Sequence, residues 1–246
     1  MNFKFELVYG NTFKSLLWLL RPFKKAIIKT ECRVHIFINN MALSILKSDG
    51  YTDAFAFYSK LEEHLNQGAV WADQDFRSRN HFYNPYTKRG LYGCGNSMDL
   101  FRKYYKKAIS YYRKGEYEKG IFYLGAALHL IQDSTIPQHA SIHLMKSHRK
   151  YEQWIKRVHN DFSYYAINKE GLYLNNPYQY IINNSKKSLT VYRKYQFIEN
   201  RRNRFKMISL VLFPLAQKST AGCLINFYNS IVKPNVKNEN PANITA

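Results

Sequence analysis

FYLGAALHLIQDSTIPQHASIHLMKSHRKYEQW, residues Phe122–Trp154, is the stretch that decides the fold and points to the chemistry. Its first half reads as a helix, since Leu, Ala and Ile recur without a breaker until Ile136–Pro137, where the chain must turn. Within that apolar run stand His129 and Asp133, four residues apart and so on one face, one turn from each other. A buried carboxylate is costly without a cationic partner, and an imidazole–carboxylate pair is a sound metal half-site. Pro137 then turns the chain to present His139, and His148 and Glu152 repeat the one-turn pairing on the next helix. A single His-x-x-x-Asp is more often a salt-bridged or hydrogen-bonded pair than a ligand set. Two such pairs flanking a Pro-x-His place five ligand-type side chains within 24 residues, which favours a metal cluster.

Outward from this stretch the chain reads as helices. Cys32–Leu46 carries apolar residues at helical spacing and stops at Ser48-Asp49-Gly50. The pattern predicts a second helix over Tyr51–Gln67, closed by Gly68. Residues 72–97 are polar, aromatic and Gly-rich without a sustained period, which predicts a long structured loop of the kind that carries function. Further helices are expected over Met98–Arg113, Glu116–Asp133, roughly His143–Asn168, Pro177–Tyr195 and Glu199–Ile231, with a polar, frayed tail over Lys233–Ala246. The fold class is all-α: a single-domain helical bundle with one elaborate loop.

Composition agrees. The 246 residues can bury one substantial core, and 46% hydrophobic residues exclude a disordered chain. Only 11 Gly and 7 Pro permit long segments and disfavour a many-turned β fold. Cys32, Cys94 and Cys223 are odd in number and widely spaced, so they read as buried thiols rather than a disulfide framework. The formal charge of +20 attracts phosphate-bearing partners: nucleic acid, anionic lipid or a phosphorylated substrate. In residues 1–30, the apolar run Ser15–Leu20 is too short for a signal-peptide core and ends at Arg21-Pro22. The segment reads instead as a basic amphipathic helix, packed on the domain or lying on an anionic membrane surface.

The motifs resemble one family. YLGAALHLIQDSTIPQHA is similar to the signature of the bacterial zinc-dependent phospholipases C: His-x-x-x-Asp, a His, then His-x-x-x-Glu. The segments Gly68–Asp73 (GAVWAD) and Asn80–Pro85 (NHFYNP) resemble the family's Asp and its His-Phe-Tyr-x-Pro stretch. His35 matches its early-helix His, and Pro214–Tyr228 (PLAQKSTAGCLINFY) resembles its closing helix. The likeness runs from about residue 33 to residue 231, making residues 31–232 the expected catalytic domain. It implies a zinc-dependent phospholipase C that cleaves the glycerol-side phosphoester to diacylglycerol and a phosphorylated head group.

Carried over residue by residue, the resemblance implies two or three zinc ions. One would be held by Asp73, His81, His129 and Asp133, and a second by His139, His148 and Glu152. A third would use His35, Asp133 and, in the family, the amino group of a mature terminal Trp. The sequence departs there, since no Trp stands ten to fourteen residues before His35. Glu31 is an alternative ligand. The resemblance also makes Asp73 the candidate general base. Gln74 and Ser78 occupy positions where choline-preferring members carry aromatic rings, and Phe76 could supply one ring. Arg77 and Arg79 crowd the same segment, so the expected head group is anionic, unless both face solvent. His64 reads as a surface residue, and His143 and His159 lie outside the pattern, with His143 open to a supporting role.

Two rival functions follow. Zinc-dependent single-strand nucleases share the fold and suit the charge, but carry Asp where Glu152 stands, and no aromatic pair is placed to sandwich a base. A non-enzymatic, metal-stabilised membrane protein is disfavoured because all seven expected ligands of the first two zincs are present. The expected partners are phospholipid head groups at a membrane surface. The compartment stays open between secretion, by resemblance, and a cytoplasmic or peripheral membrane location.

Overall fold

The computed structural model describes residues 33–74, 77–93, 95–142, 148–158 and 164–236. Apolar side chains at helical spacing dictate its first element, α1 (Arg33–Ser48), which buries Ile38, Ala42, Leu43, Ile45 and Leu46 on one side. Gly50, at φ 86°, turns the chain into α2 (Thr52–Ser59). The single helix expected over Tyr51–Gln67 is two, because the chain breaks at Lys60–Leu61 and α3 (Glu62–Ala72) runs on past Gly68. The two halves serve different partners. Tyr58 donates from α2 to the Leu224 carbonyl, whereas α3 packs along a later helix.

Past the loop, α4 (Ser97–Arg113) is capped by Asn96, whose side chain accepts from the Asp99 N–H at 2.9 Å. Helix α4 stops near Gly115 and leads into α5 (Tyr117–Asp133), the central helix, buried at every position from Leu124 to Asp133. Glycines set how closely its neighbours approach. A Cβ on Gly125 would fall inside the radius of the Leu65 carbonyl oxygen, and one on Gly68 would strike the Phe122 carbonyl. Helices α3 and α5 therefore cross backbone to backbone, which draws the end of α3 against the last turns of α5.

Pro137 opens the short α6 (Pro137–Ser141), as its fixed φ and missing N–H suit the first helical turn. The helix expected over His143–Asn168 is described only as α7 (His148–Arg157). Residues 166–168 are not helical, and the buried Gln217 side chain ties this segment down: its Oε1 accepts from Ile167 N–H (3.0 Å) and its Nε2 donates to the Tyr165 carbonyl (2.8 Å). Then follow α8 (Tyr178–Tyr195) and the long α9 (Arg201–Val236), which carries helix four residues into the expected frayed tail. Residues 201–231 of α9 are apolar and long enough to cross a membrane, but 72% of the most apolar window is buried inside the molecule, as in a core helix.

No strand occurs among the described residues, so the architecture is all-helical. The main core gathers around α5, and a second apolar cluster (Ile38, Tyr151, Phe205, Leu212, Phe213 among others) lies beneath α7.

Candidate metal centre

Asp133 ends α5, and the centre converges on its carboxylate. Oδ2 lies 2.7 Å from His81 Nδ1, 3.1 Å from His129 Nε2 and 3.5 Å from His139 Nδ1. Oδ1 lies 3.7 Å from His35 Nε2. Each imidazole arrives on its own element. His35 comes from the first turn of α1, His81 from just beyond the 3-10 turn Arg77–Asn80, His129 from one turn before Asp133, and His139 from α6. The rings of His35 and His129 stand with centroids 3.9 Å apart.

Local structure holds His81 and His139 in register. Tyr83 N–H donates to the His139 carbonyl at 3.0 Å, and Ser97 N–H donates to the Phe82 carbonyl at 3.1 Å. The Phe82 ring lies 4.6 Å from the His139 ring. The next turn of the loop is closed by Asn84, whose Oδ1 accepts from the Tyr86 and Thr87 N–H groups, each at 3.0 Å. The expected long loop is therefore ordered by its own bonds at the point where it delivers His81.

Asp73 follows the last residue of α3, and the glycine crossing brings it to the same place. Its carboxylate offers an oxygen within 4.8 Å of donor nitrogens on His81 and His129, and His35, His129 and Asp133 form a second such group. Gln74 is half-buried, and its N–H bonds back to the Trp71 carbonyl at 3.2 Å. Ser78 lies in the 3-10 turn and Arg79 is half-buried beside it. His148 and Glu152 sit one turn apart on α7. The side chains of His148, Glu152, Arg77 and Ser78 are outside the described residues, as are Glu31, Cys32, Phe76, Cys94, His143, His159 and the segment 1–30. His64 does lie near the surface and pairs with Glu118 at 3.4 Å. Cys223 is a free, buried thiol.

The electrostatics favour a bound cation. Burial opposes the charge on Asp133, but His129 and His139 outweigh it and hold the carboxyl well below its usual range. Burial and the neighbouring His129 push His35 down to about 4, and burial lowers His81 also, leaving neutral rings whose lone pairs can ligate. Burial also opposes the His129 cation, yet Asp133 and Asp73 hold that imidazole above its ordinary value. His129 Nε2 and His81 Nδ1 are only 3.2 Å apart, and both face one carboxylate oxygen. His81 Nε2 is buried with no hydrogen-bond partner among the described residues. Imidazole nitrogens and carboxylate oxygens are the donors zinc takes, so the residues fit that ion.

A supporting network escaped the sequence reading. His35 Nδ1 meets Gln132 Oε1 at 2.7 Å, and Gln132 Nε2 donates to Asn39 Oδ1 at 2.8 Å. Asn39 Nδ2 donates in turn to Asn66 Oδ1 at 2.9 Å. A proton on His35 Nδ1 leaves the Nε2 lone pair facing the centre. The available signal was Gln132 itself, an amide in an apolar helix beside Asp133, with Asn39 one turn after His35.

Comparison with known proteins matches residues 34–206 to the family model described as zinc dependent phospholipase C. The chain belongs to the zinc-dependent phospholipase C family. Phospholipase C from Clostridium novyi is 22% identical over 245 residues, covering 84% of this chain and 61% of that protein. Phospholipase C from Bacillus cereus is 25% identical over 143 residues, covering 52% of this chain and 50% of that protein. The chain thus spans from half to about three-fifths of the length of these phospholipase C relatives. In fold it is similar to the alpha toxin from Clostridium absonum, with a TM-score of 0.71 and 20% identity over 81% of this chain and 64% of that one. The Clostridium perfringens alpha-toxin gives 0.69 and 17% over the same shares.

Proposed function

We propose that this zinc-dependent phospholipase C family member is itself a phospholipase C, hydrolysing the glycerol-side phosphoester of phospholipids to diacylglycerol and a phosphorylated head group. One observation carries the reading: a single buried carboxylate, Asp133, ringed by the imidazoles of His35, His81, His129 and His139. Packing alone does not call for four such rings on one carboxylate. Two or three zinc ions are the proposed complement, with Asp73, His81, His129, Asp133 and His35 on one side and His139, His148 and Glu152 on the other.

When bound, zinc supplies charge neutralisation at the phosphate and water acidic enough to attack near neutral pH. The chain's own residues do the rest. Asp73 accepts the proton from the attacking water, consistent with its half-buried place beside His81 and His129. Gln132 orients His35 through Nδ1. Arg79, half-buried on the turn before His81, favours an anionic head group over choline.

The test is zinc content of the purified protein, together with diacylglycerol release from phosphatidylglycerol and phosphatidylcholine. Two or three zincs, release abolished by His129→Ala, and faster turnover of phosphatidylglycerol are the expected results. Cleavage of single-stranded DNA without lipid turnover overturns the reading in favour of a nuclease.

A further inference from the structure

Away from the centre, α7 and the first turns of α9 enclose an open groove of about 770 Å³. Lys150, Arg157, Arg201, Arg202 and Lys206 line it, and none of its lining residues is acidic. Beneath these cations the wall is aromatic. Trp154 and Phe205 pack with ring centroids 5.8 Å apart, and Trp154 is stacked in turn on the buried Tyr151. The groove lies on the back of α7. Lys150, Gln153 and Arg157 share one face of α7.

Two features make this more than a solvated charged face. Helix α9 has no acidic residue in its first turn and begins Arg201-Arg202, cations at the end where a helix dipole disfavours them. A bound anion would relieve that arrangement. Just before it, the α8–α9 turn carries Phe197, 82% exposed, where a ring has no packing role. Arg204 holds that turn by donating to the Gln196 and Ile198 carbonyls, each at 3.2 Å. Arg193 and Lys194 end α8 on its other side. Tyr164, 62% exposed, lies under Lys206 with the ammonium 5.3 Å from its ring centre.

The geometry points to the α7–α9 groove and the Phe197 turn as the face that docks on an anionic phospholipid surface, with head-group phosphates in the groove and the Phe197 ring in the interfacial layer. Exposed aromatics beside clustered Lys and Arg suit such an interface. A single-stranded nucleic acid is less well served, since Trp154 is already engaged by Tyr151 and Phe205 and is not free to stack on a base. This inference deepens the phospholipase reading by naming the surface that meets the substrate phase.

The experiment is cosedimentation of the full chain with vesicles of phosphatidylcholine alone or mixed with phosphatidylglycerol. The wild type should bind only the mixed vesicles, and binding should weaken with salt. Each cation removed should cost about fivefold in partitioning, so the charge reversals Arg201→Glu, Arg202→Glu and Lys206→Glu together should cost at least on the order of 100-fold. Phe197→Ser should cost about tenfold. Lys103→Glu with Lys106→Glu, exposed positions of α4 that do not line the groove, should cost far less. Circular dichroism checks that each variant keeps its helices, and the new acids suit the α9 terminus. Undiminished binding by the groove variant overturns the proposal, as does an equal loss from the α4 pair. So does wild-type binding of single-stranded DNA but not of vesicles. Hydrolysis of a soluble short-chain phospholipid, which needs no surface, reports on the phospholipase reading separately and should survive the groove substitutions.

Discussion

Two carboxylates near opposite ends of α1 show how differently one side chain can be used. Asp49, just past the carboxyl end of the helix, accepts the Glu170 and Gly171 N–H groups, each at 2.8 Å, and the Tyr173 hydroxyl at 2.6 Å. Every partner is a plain donor, so the carboxylate is satisfied and ties the 170–173 segment to the core. Asp133, beside His35 near the amino end, is more deeply buried and faces four imidazoles, each of which is a donor on one side and a lone pair on the other. A neutral His35 that donates to Gln132 has no proton left for it, and cationic rings would repel one another. Asp49 is complete as it stands, whereas the surroundings of Asp133 suit a cation.

The sharpest way to break this contrast is Asp133→Asn. Zinc should be lost on purification and hydrolysis should fall to background, as read by metal analysis and diacylglycerol release. Retained zinc at full stoichiometry would remove Asp133 from its central place. The same measurement on Gln132→Leu should show zinc affinity lowered by about 10–100-fold, because His35 loses the bond that fixes its tautomer. Gly125→Ala tests the placement of Asp73. Overpacking against the Leu65 carbonyl should cost about 1–3 kcal/mol in urea unfolding and reduce turnover with it.

Asp49→Asn should leave zinc and turnover untouched while costing about 1–2 kcal/mol, discounted for its partial exposure. The pH dependence has a definite sign. Burial opposes ionisation of Asp49, but the Tyr173, Gly171 and Glu170 hydrogen bonds prevail and hold its carboxyl below the ordinary 3.8. A depressed folded-state value stabilises above the unfolded one and is lost as pH falls through the folded one. The difference in melting temperature between wild type and Asp49→Asn should therefore be full above about pH 5 and shrink below 3.8. The smallest effect belongs to Lys218→Met. Its ion pair with Glu170, at 3.3 Å on the exposed edge of the same clasp, should be worth at most about 0.5 kcal/mol.

Much of the centre was legible in the sequence because its signal is local. His129 and Asp133 share a helix face by spacing alone, and Pro137 marks the turn that presents His139. Helices α1, α4, α5 and α8 follow from apolar period and from Gly50 and Gly115. What stayed hidden depends on neighbours distant in the chain. No Gly or Pro marks the break at Lys60–Leu61, which arises because α2 and α3 pack on different partners. Ile167 bonds not along a helix but to Gln217, fifty residues later. The amides of Gln132, Asn39 and Asn66 look like separate polar residues until the fold joins them.

The Asp133 cluster also has a bearing on how the chain reaches this state. Its imidazoles stand at positions 35, 81, 129 and 139, so two long loops must close before all four rings meet. Contacts of such sequence separation form late, because chain entropy must be surrendered before they return anything. In the unfolded chain only His129, Asp133 and His139 lie near one another in sequence. High-affinity capture of zinc during refolding should thus coincide with the last kinetic phase, and the ion would act as a latch on a finished chain topology rather than as a seed for it.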